Sequence, residues 1–225
     1  MVKIKSDQLV DLVYKKVKQM ILDGALIPGE KINKIEIANV LGVSITPINE
    51  VVNRLTGEKF IDKVNKEGYF VKKLTFEDLM EFFAVRAGLE GIAIRLCVNG
   101  LSDKKLNEFD NIFNQFKLPL NEKECEHYLK ADQKFHEKII NLCENSIIID
   151  FDKNFNFVMK SYQKGLIRSP EETLSEHLEI IDAIKKRNGQ KAQELIIAHH
   201  LKSREVLKNK PAEKSMNKIK QNSNR

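Results

Sequence analysis

A chain of 225 residues with 42% hydrophobic content, ten Gly, five Pro and no Trp can bury one sizeable core or two modest ones, and it reads as mostly helical. No apolar run reaches the roughly 18 residues of a membrane span. The start, Met-Val-Lys-Ile-Lys-Ser-Asp, lacks the apolar core of a secretory signal, and Cys97, Cys125 and Cys143 form no Cys-x-x-Cys pair, so a cytoplasmic protein with reduced thiols and no membrane partner is expected.

The charge of +6 is unevenly spread: residues 1–73 carry 13 Lys/Arg against 9 Asp/Glu, 74–201 carry 17 against 21, and 202–225 carry 8 against 2. A basic front joined to an acidic middle suits a nucleic-acid module attached to something that does not touch phosphate.

Residues 7–23 place Leu9, Val13, Val17, Met20 and Ile21 on one helical face, and Gly24 ends that helix. Ile27-Pro28-Gly29 is a turn, and Lys31-Ile32 is a candidate short strand. Ile37, Ala38 and Leu41 then recur at helical spacing, Gly42 ends the helix and Val43 plugs the corner. Ser44 is a candidate N-cap for the next helix, with Pro47 in its first turn. Ile48, Val51, Val52 and Leu55 form its buried stripe, leaving Ile45, Thr46, Asn49, Asn53 and Arg54 outward. This is a helix-turn-helix, whose second helix normally enters the DNA major groove. Two β-prone runs, 60–64 and 69–72, flank Asn65-Lys66-Glu67-Gly68 and predict a hairpin. Together these make a winged helix-turn-helix domain over residues 1–73.

Residues 74–207 read as an all-helical bundle. Thr75 with Asp78 resembles a capping box opening a helix through about Cys97, closed by Asn99-Gly100. Leu106, Phe109, Ile112, Phe113 and Phe116 mark a second helix, and Pro119 interrupts. Asn121 with Glu124 opens a third, through Leu142, and Ile147 to Tyr162 is a fourth. Ser169-Pro170-Glu171-Glu172 starts the next helix, through Lys186, and Asn188-Gly189 separates it from a last one over 190–207. Residues 208–225 lose apolar periodicity and predict a basic disordered tail. The fold class is therefore mainly α, a winged helix-turn-helix followed by a helical ligand domain.

Three histidines of the bundle, His136, His177 and His199, lie on apolar helix faces. Each alone is compatible with an ordinary core histidine. Asp132, one turn before His136, adds an inward carboxylate that needs a partner, and a divalent metal ion would explain both it and the imidazoles. Arg86 and Glu90 stand at i and i+4. They make either an intrahelical ion pair or an arrangement in which Arg86, among Phe82, Phe83 and Leu89, clamps an organic anion.

Several of these motifs together carry a family resemblance. Residues 21–30 (Ile-Leu-Asp-Gly-Ala-Leu-Ile-Pro-Gly-Glu), Leu41-Gly42-Val43-Ser44, Thr46-Pro47, Glu50, Arg54-Leu55 and Gly68 resemble the DNA-binding domain of the GntR transcription regulators. Val85-Arg86, Leu89-Glu90, Asp132-x-x-Phe135-His136, Glu176-His177, Asp182-Ala183-Ile184 and Ala198-His199 are similar to the all-helical, FCD-type ligand domain of its FadR-like branch. The resemblance spans about residues 8–207. It implies metal ligands Asp132, His136, His177 and His199, with His200 an alternative to His199; such a ligand set suits Zn, Ni or Mn without choosing among them. It also implies a homodimer, a double-stranded operator and a small carboxylate effector held in part by Arg86.

One departure stands out. The family's recognition turn usually carries arginines where this chain has Ile45 and Asn49, and another where it has Ile35. Asn49 suits an adenine edge and Ile45 a thymine methyl. The DNA-facing residues are then Ser44, Thr46, Asn49 and Asn53, with Lys63, Lys66 and Gly68 on the wing. The function these features point to is a ligand-responsive DNA-binding transcription regulator acting as a repressor, not an enzyme. Two other classes share the features: an interaction protein with weakened operator binding, and a metal-dependent hydrolase, for which no general base is evident beside the ligands.

Overall fold

A computed structural model describes residues 6–153 and 166–209. The chain divides into two compact units, the first running to Leu74 and the second beginning at Thr75.

In the first unit, helix α1 (Ser6–Leu22) is followed by α2 (Lys34–Leu41), α3 (Ile45–Gly57) and the antiparallel strands β1 (Ile61–Val64) and β2 (Gly68–Val71). Asn33 caps α2 by accepting from the Glu36 amide, so this helix starts earlier than its apolar spacing suggests. It ends at Gly42, whose φ of 64° is the left-handed conformation that a Cβ disfavours. Val13, Val17 and Ile21 of α1 pack with Ile48, Val51, Val52 and Leu55 of α3, all at most 3% exposed. Each such side chain contributes about 1.5–3 kcal/mol when fully buried. The hairpin pairs Ile61 with Val71 and Val64 with Gly68. Lys31-Ile32 is not a full strand; it makes one bridge, Lys31 to Phe70, supported by the Ile32 amide donating to Tyr69 O at 2.7 Å.

The second unit is all helix: α4 (Phe76–Cys97), a 3-10 turn (Val98–Gly100), α5 (Asp103–Phe113), α6 (Glu122–Leu142), α7 (described over 146–153), α8 (Pro170–Lys185) and α9 (Gly189–Lys208). Capping boxes at Thr75/Asp78 and Asn121/Glu124 set the starts of α4 and α6. Phe109, Phe113, Tyr128 and Phe135 of α5 and α6 meet Ile180, Ile184, Ala192 and Ile196 of α8 and α9 in one core. Helix α4 lies close along α9: a Cβ on Gly91 would sit 2.9 Å from Ile197 Cδ1, so any larger residue here would force the Ile197 side chain to move. The remainder of the expected 147–162 helix and most of the expected basic tail lie outside the described residues. Among the described residues no single helix is long and apolar enough to cross a membrane, and the three cysteines are free thiols.

Candidate metal centre and DNA-reading surface

Asp132 and His136 project from one face of α6, His177 from α8 and His199 from α9, and one ligand atom from each lies within 4.8 Å of the others. The three imidazoles are nearly or fully buried. His177 Nε2 is 3.4 Å from Asp132 Oδ1, and His136 Nε2 is 3.8 Å from the same oxygen.

Each ring is oriented from behind through Nδ1. His136 Nδ1 meets Glu90 Oε2 at 2.5 Å, and His199 Nδ1 meets Glu176 Oε2 at 2.8 Å. Carboxylates only accept, so both rings carry a proton on Nδ1, and in the neutral form of each ring Nε2 keeps its lone pair.

The case of His177 follows from proton bookkeeping. Thr173 donates its hydroxyl proton to Ser169 O at 3.0 Å, so the 2.9 Å bond between Thr173 and Tyr128 takes the Tyr128 proton. The Tyr128 oxygen then accepts from His177 Nδ1–H at 2.9 Å, which leaves Nε2 bare. That nitrogen is buried without a hydrogen-bond partner. Phe113 stacks on the ring at 4.5 Å and 8°, fixing its plane.

Electrostatics agree with a neutral ring for His177 and His199 and set His136 apart. Burial holds the His177 imidazole well below its ordinary pKa and lowers that of His199, keeping both neutral. For His136, burial opposes protonation but Glu90 outweighs it and raises the value. Burial likewise opposes ionisation of Asp132, yet the contact with His136 and the field of the three imidazoles hold its carboxyl below the usual range.

One carboxylate and three imidazole nitrogens converging on one point fit a borderline divalent ion such as zinc, nickel or manganese. The anchoring residues Tyr128, Glu90 and Glu176 are the outer partners such ligands require. Glu176 is itself held by Arg168 through two 2.8 Å bonds and by Lys202 at 2.7 Å. Sequence reading singled out the four ligand candidates and noted Glu90 and Glu176 in other connections, but gave neither an anchoring role and passed over Tyr128. The available signal was spacing: Tyr128 precedes Asp132 by one helical turn.

His200 belongs elsewhere. It forms a second group with Glu90 and His136, its Nε2 3.0 Å from Glu90 Oε2, and burial pushes its pKa down to about 3. Arg86 is inward, its side chain 12% exposed, with Nε donating to Glu90 Oε1 at 2.6 Å. It makes the i,i+4 ion pair of the first sequence reading, and makes it from an inward, largely buried position. That fixed positive charge disfavours a cation in the Glu90, His136, His200 group.

In the first unit, Thr46 and Asn53 of α3 are exposed, as are Lys63 and Lys66 on the hairpin. Ser44 occupies the N-cap position but makes no side-chain cap bond, contrary to the role expected for it. The hairpin turn takes positive φ at Lys66 (64°) as well as at Gly68 (116°). Arg54 points outward but is engaged by Asp11 at 3.0 Å, Glu58 at 3.2 Å and the Tyr14 ring at 3.9 Å. Asn49 is half-buried, and its Oδ1 accepts from Lys34 Nζ at 3.0 Å. The same ammonium lies 4.0 Å from the centroid of the Tyr69 ring, and Tyr69 OH donates to Asn53 Oδ1 at 3.1 Å.

Comparison with known proteins places both units. Residues 9–71 match the bacterial regulatory proteins of the gntR family, and residues 81–202 match the FCD domain. The chain is 27% identical over 191 residues to the uncharacterized HTH-type transcriptional regulator YdhC of Bacillus subtilis, covering 83% of this chain and 85% of that one. It is 27% identical over 175 residues to the Nta operon transcriptional regulator of Aminobacter aminovorans, covering 76% and 81%. A putative GntR transcriptional regulator from Rhodococcus shares the fold, with a TM-score of 0.68 at 19% identity, covering 91% and 100%. The chain belongs to the GntR family of transcription regulators, in the branch that joins a winged helix-turn-helix to an FCD domain.

Proposed function

We propose that this GntR-family regulator is a cytoplasmic, homodimeric repressor that binds a divalent metal through Asp132, His136, His177 and His199 and senses a small organic acid. The observation that carries this reading is the common orientation of the three imidazoles, each tied outward through Nδ1 and turned with Nε2 toward the centre. When bound, the metal would supply a Lewis-acidic contact for a carboxylate. Arg86, buried one turn before Glu90, adds the second positive charge that an organic anion needs. Glu90 and Glu176 orient their imidazoles and keep the protons away from the centre.

Effector binding changes operator affinity only in so far as the acid binds one arrangement of the dimer more tightly than another. The test is selection of bound duplexes from a random pool by the full chain, alone, with a chelator, and with a panel of mono- and dicarboxylates. The reading expects an enriched pseudopalindrome whose retention changes with chelator and with at least one acid. Enrichment that ignores both would overturn the sensing role. Absence of any enriched sequence would favour the interaction protein, with Ile35 and Ile45, 68% and 40% exposed, as its apolar contact surface.

A further inference from the structure

The arginines missing at positions 35, 45 and 49 leave the recognition helix without its own cation for base contact, since Arg54 is engaged by Asp11, Glu58 and Tyr14. The structure brings one in from α2. Lys34, the first residue of that helix, spans 15 positions to hold Asn49 Oδ1 at 3.0 Å, with its ammonium 4.0 Å from the Tyr69 ring centroid on the wing. One turn along α3, Asn53 Oδ1 is taken by the Tyr69 hydroxyl at 3.1 Å.

Both asparagines therefore have their oxygens turned to a protein donor, and what remains outward is the N–H side of each amide. An ammonium has three protons and no acceptor, so Lys34 adds donors and charge to the same spot. A bidentate adenine contact needs an asparagine oxygen facing the base to accept from N6–H, and here that oxygen faces Lys34. Guanine instead presents two adjacent acceptors, N7 and O6, in the major groove.

We propose that Lys34, Asn49 and Tyr69 form one composite reading element that recognises a guanine edge in each half-site. The inference rests on the family's DNA-binding role. Tyr69 joins the wing to the recognition helix through Asn53, so hairpin and helix present their contacts as one piece. Lys34 acts as a direct contact and Tyr69 as a positioning residue.

The experiment compares duplexes selected by the full-length protein, K34A, K34Q, N49A, the K34A/N49A double variant and Y69F, with melting curves to establish that each is folded. The unmutated protein should select guanine at one fixed position per half-site. K34A, K34Q and N49A should each lose that preference by about tenfold or more at the same position, as expected for loss of a good base contact. The double variant should lose little beyond either single one, because the two residues act together. Y69F should weaken discrimination without lowering the melting temperature of the winged unit.

Adenine selected there and lost with N49A alone overturns the proposal while leaving DNA binding intact. So does a K34A effect that weakens all duplexes equally and lowers the salt slope by about one unit, the signature of a phosphate contact. Failure of the unmutated protein to enrich any sequence overturns the DNA-binding reading and this inference with it.

Discussion

Asp132 Oδ1 and His177 Nε2 face each other at 3.4 Å with no proton between them. The chain Thr173–Tyr128–His177 consumes the protons on the far side of the ring, so both facing atoms are acceptors. Two acceptors at this distance, one of them fully buried, repel unless a positive charge joins them. A cation is the partner that also satisfies the Nε2 atoms of His136 and His199.

The purified protein should therefore hold about one divalent ion per chain, with one carboxylate and three imidazoles as its ligands. Elemental analysis after reconstitution with zinc, nickel or manganese checks this. His136→Ala and His177→Ala should lose the ion; no metal in the unmutated protein would end the case for the centre.

Tyr128→Phe leaves every ligand in place but removes the acceptor that fixes the His177 tautomer. Metal affinity should fall about 10–100-fold, the usual cost of losing an outer partner. Competition with a chelator of known strength measures it, and an unchanged affinity in a folded variant would refute the tautomer argument.

Arg86→Gln tests the effector site. The substitution breaks a buried pair with Glu90, so stability should drop by roughly 3–5 kcal/mol. Carboxylate affinity per folded molecule, read by calorimetry below the melting transition, should drop as well. A fall in stability with unchanged affinity would make Arg86 purely structural.

Burial raises the Asp152 carboxyl, and Glu90 adds to the effect, bringing its pKa to about 6 against an ordinary 3.8. Between those values the folded state binds a proton that the unfolded state does not, so stability from this group falls as pH rises through pH 4–6. The loss is at most about 3 kcal/mol above pH 6. Asp152→Asn in metal-free protein should thus be stabilising at pH 7 and neutral near pH 4, by denaturant titration; equal effects at both would refute the assignment.

The local parts of this structure were legible in the sequence. Capping boxes at Thr75 and Asn121 involve residues three apart, and the apolar stripe of α3 repeats at helical spacing, so neither depends on distant packing. Asp132 and His136 could be paired because one helix face carries both. The anchors were hidden because each comes from a different helix than the group it serves, or from the far side of a hydrogen-bond chain. Glu90 reaches His136 across 46 positions, and Tyr128 reaches His177 across 49. Lys34 escaped notice because the apolar pattern that reveals α2 begins after it, and its link to Asn49 exists only once α2 and α3 have turned on each other.

His199 and His200 are adjacent on α9, yet one is bonded to Glu176 of α8 and the other lies against Glu90 of α4. Neighbouring helical residues point about 100° apart. The helix is thereby keyed on two flanks, much as a shaft is prevented from turning by two pins set at an angle. With Gly91 allowing α4 to sit directly against it, α9 cannot rotate to favour one histidine without stripping the other of its carboxylate.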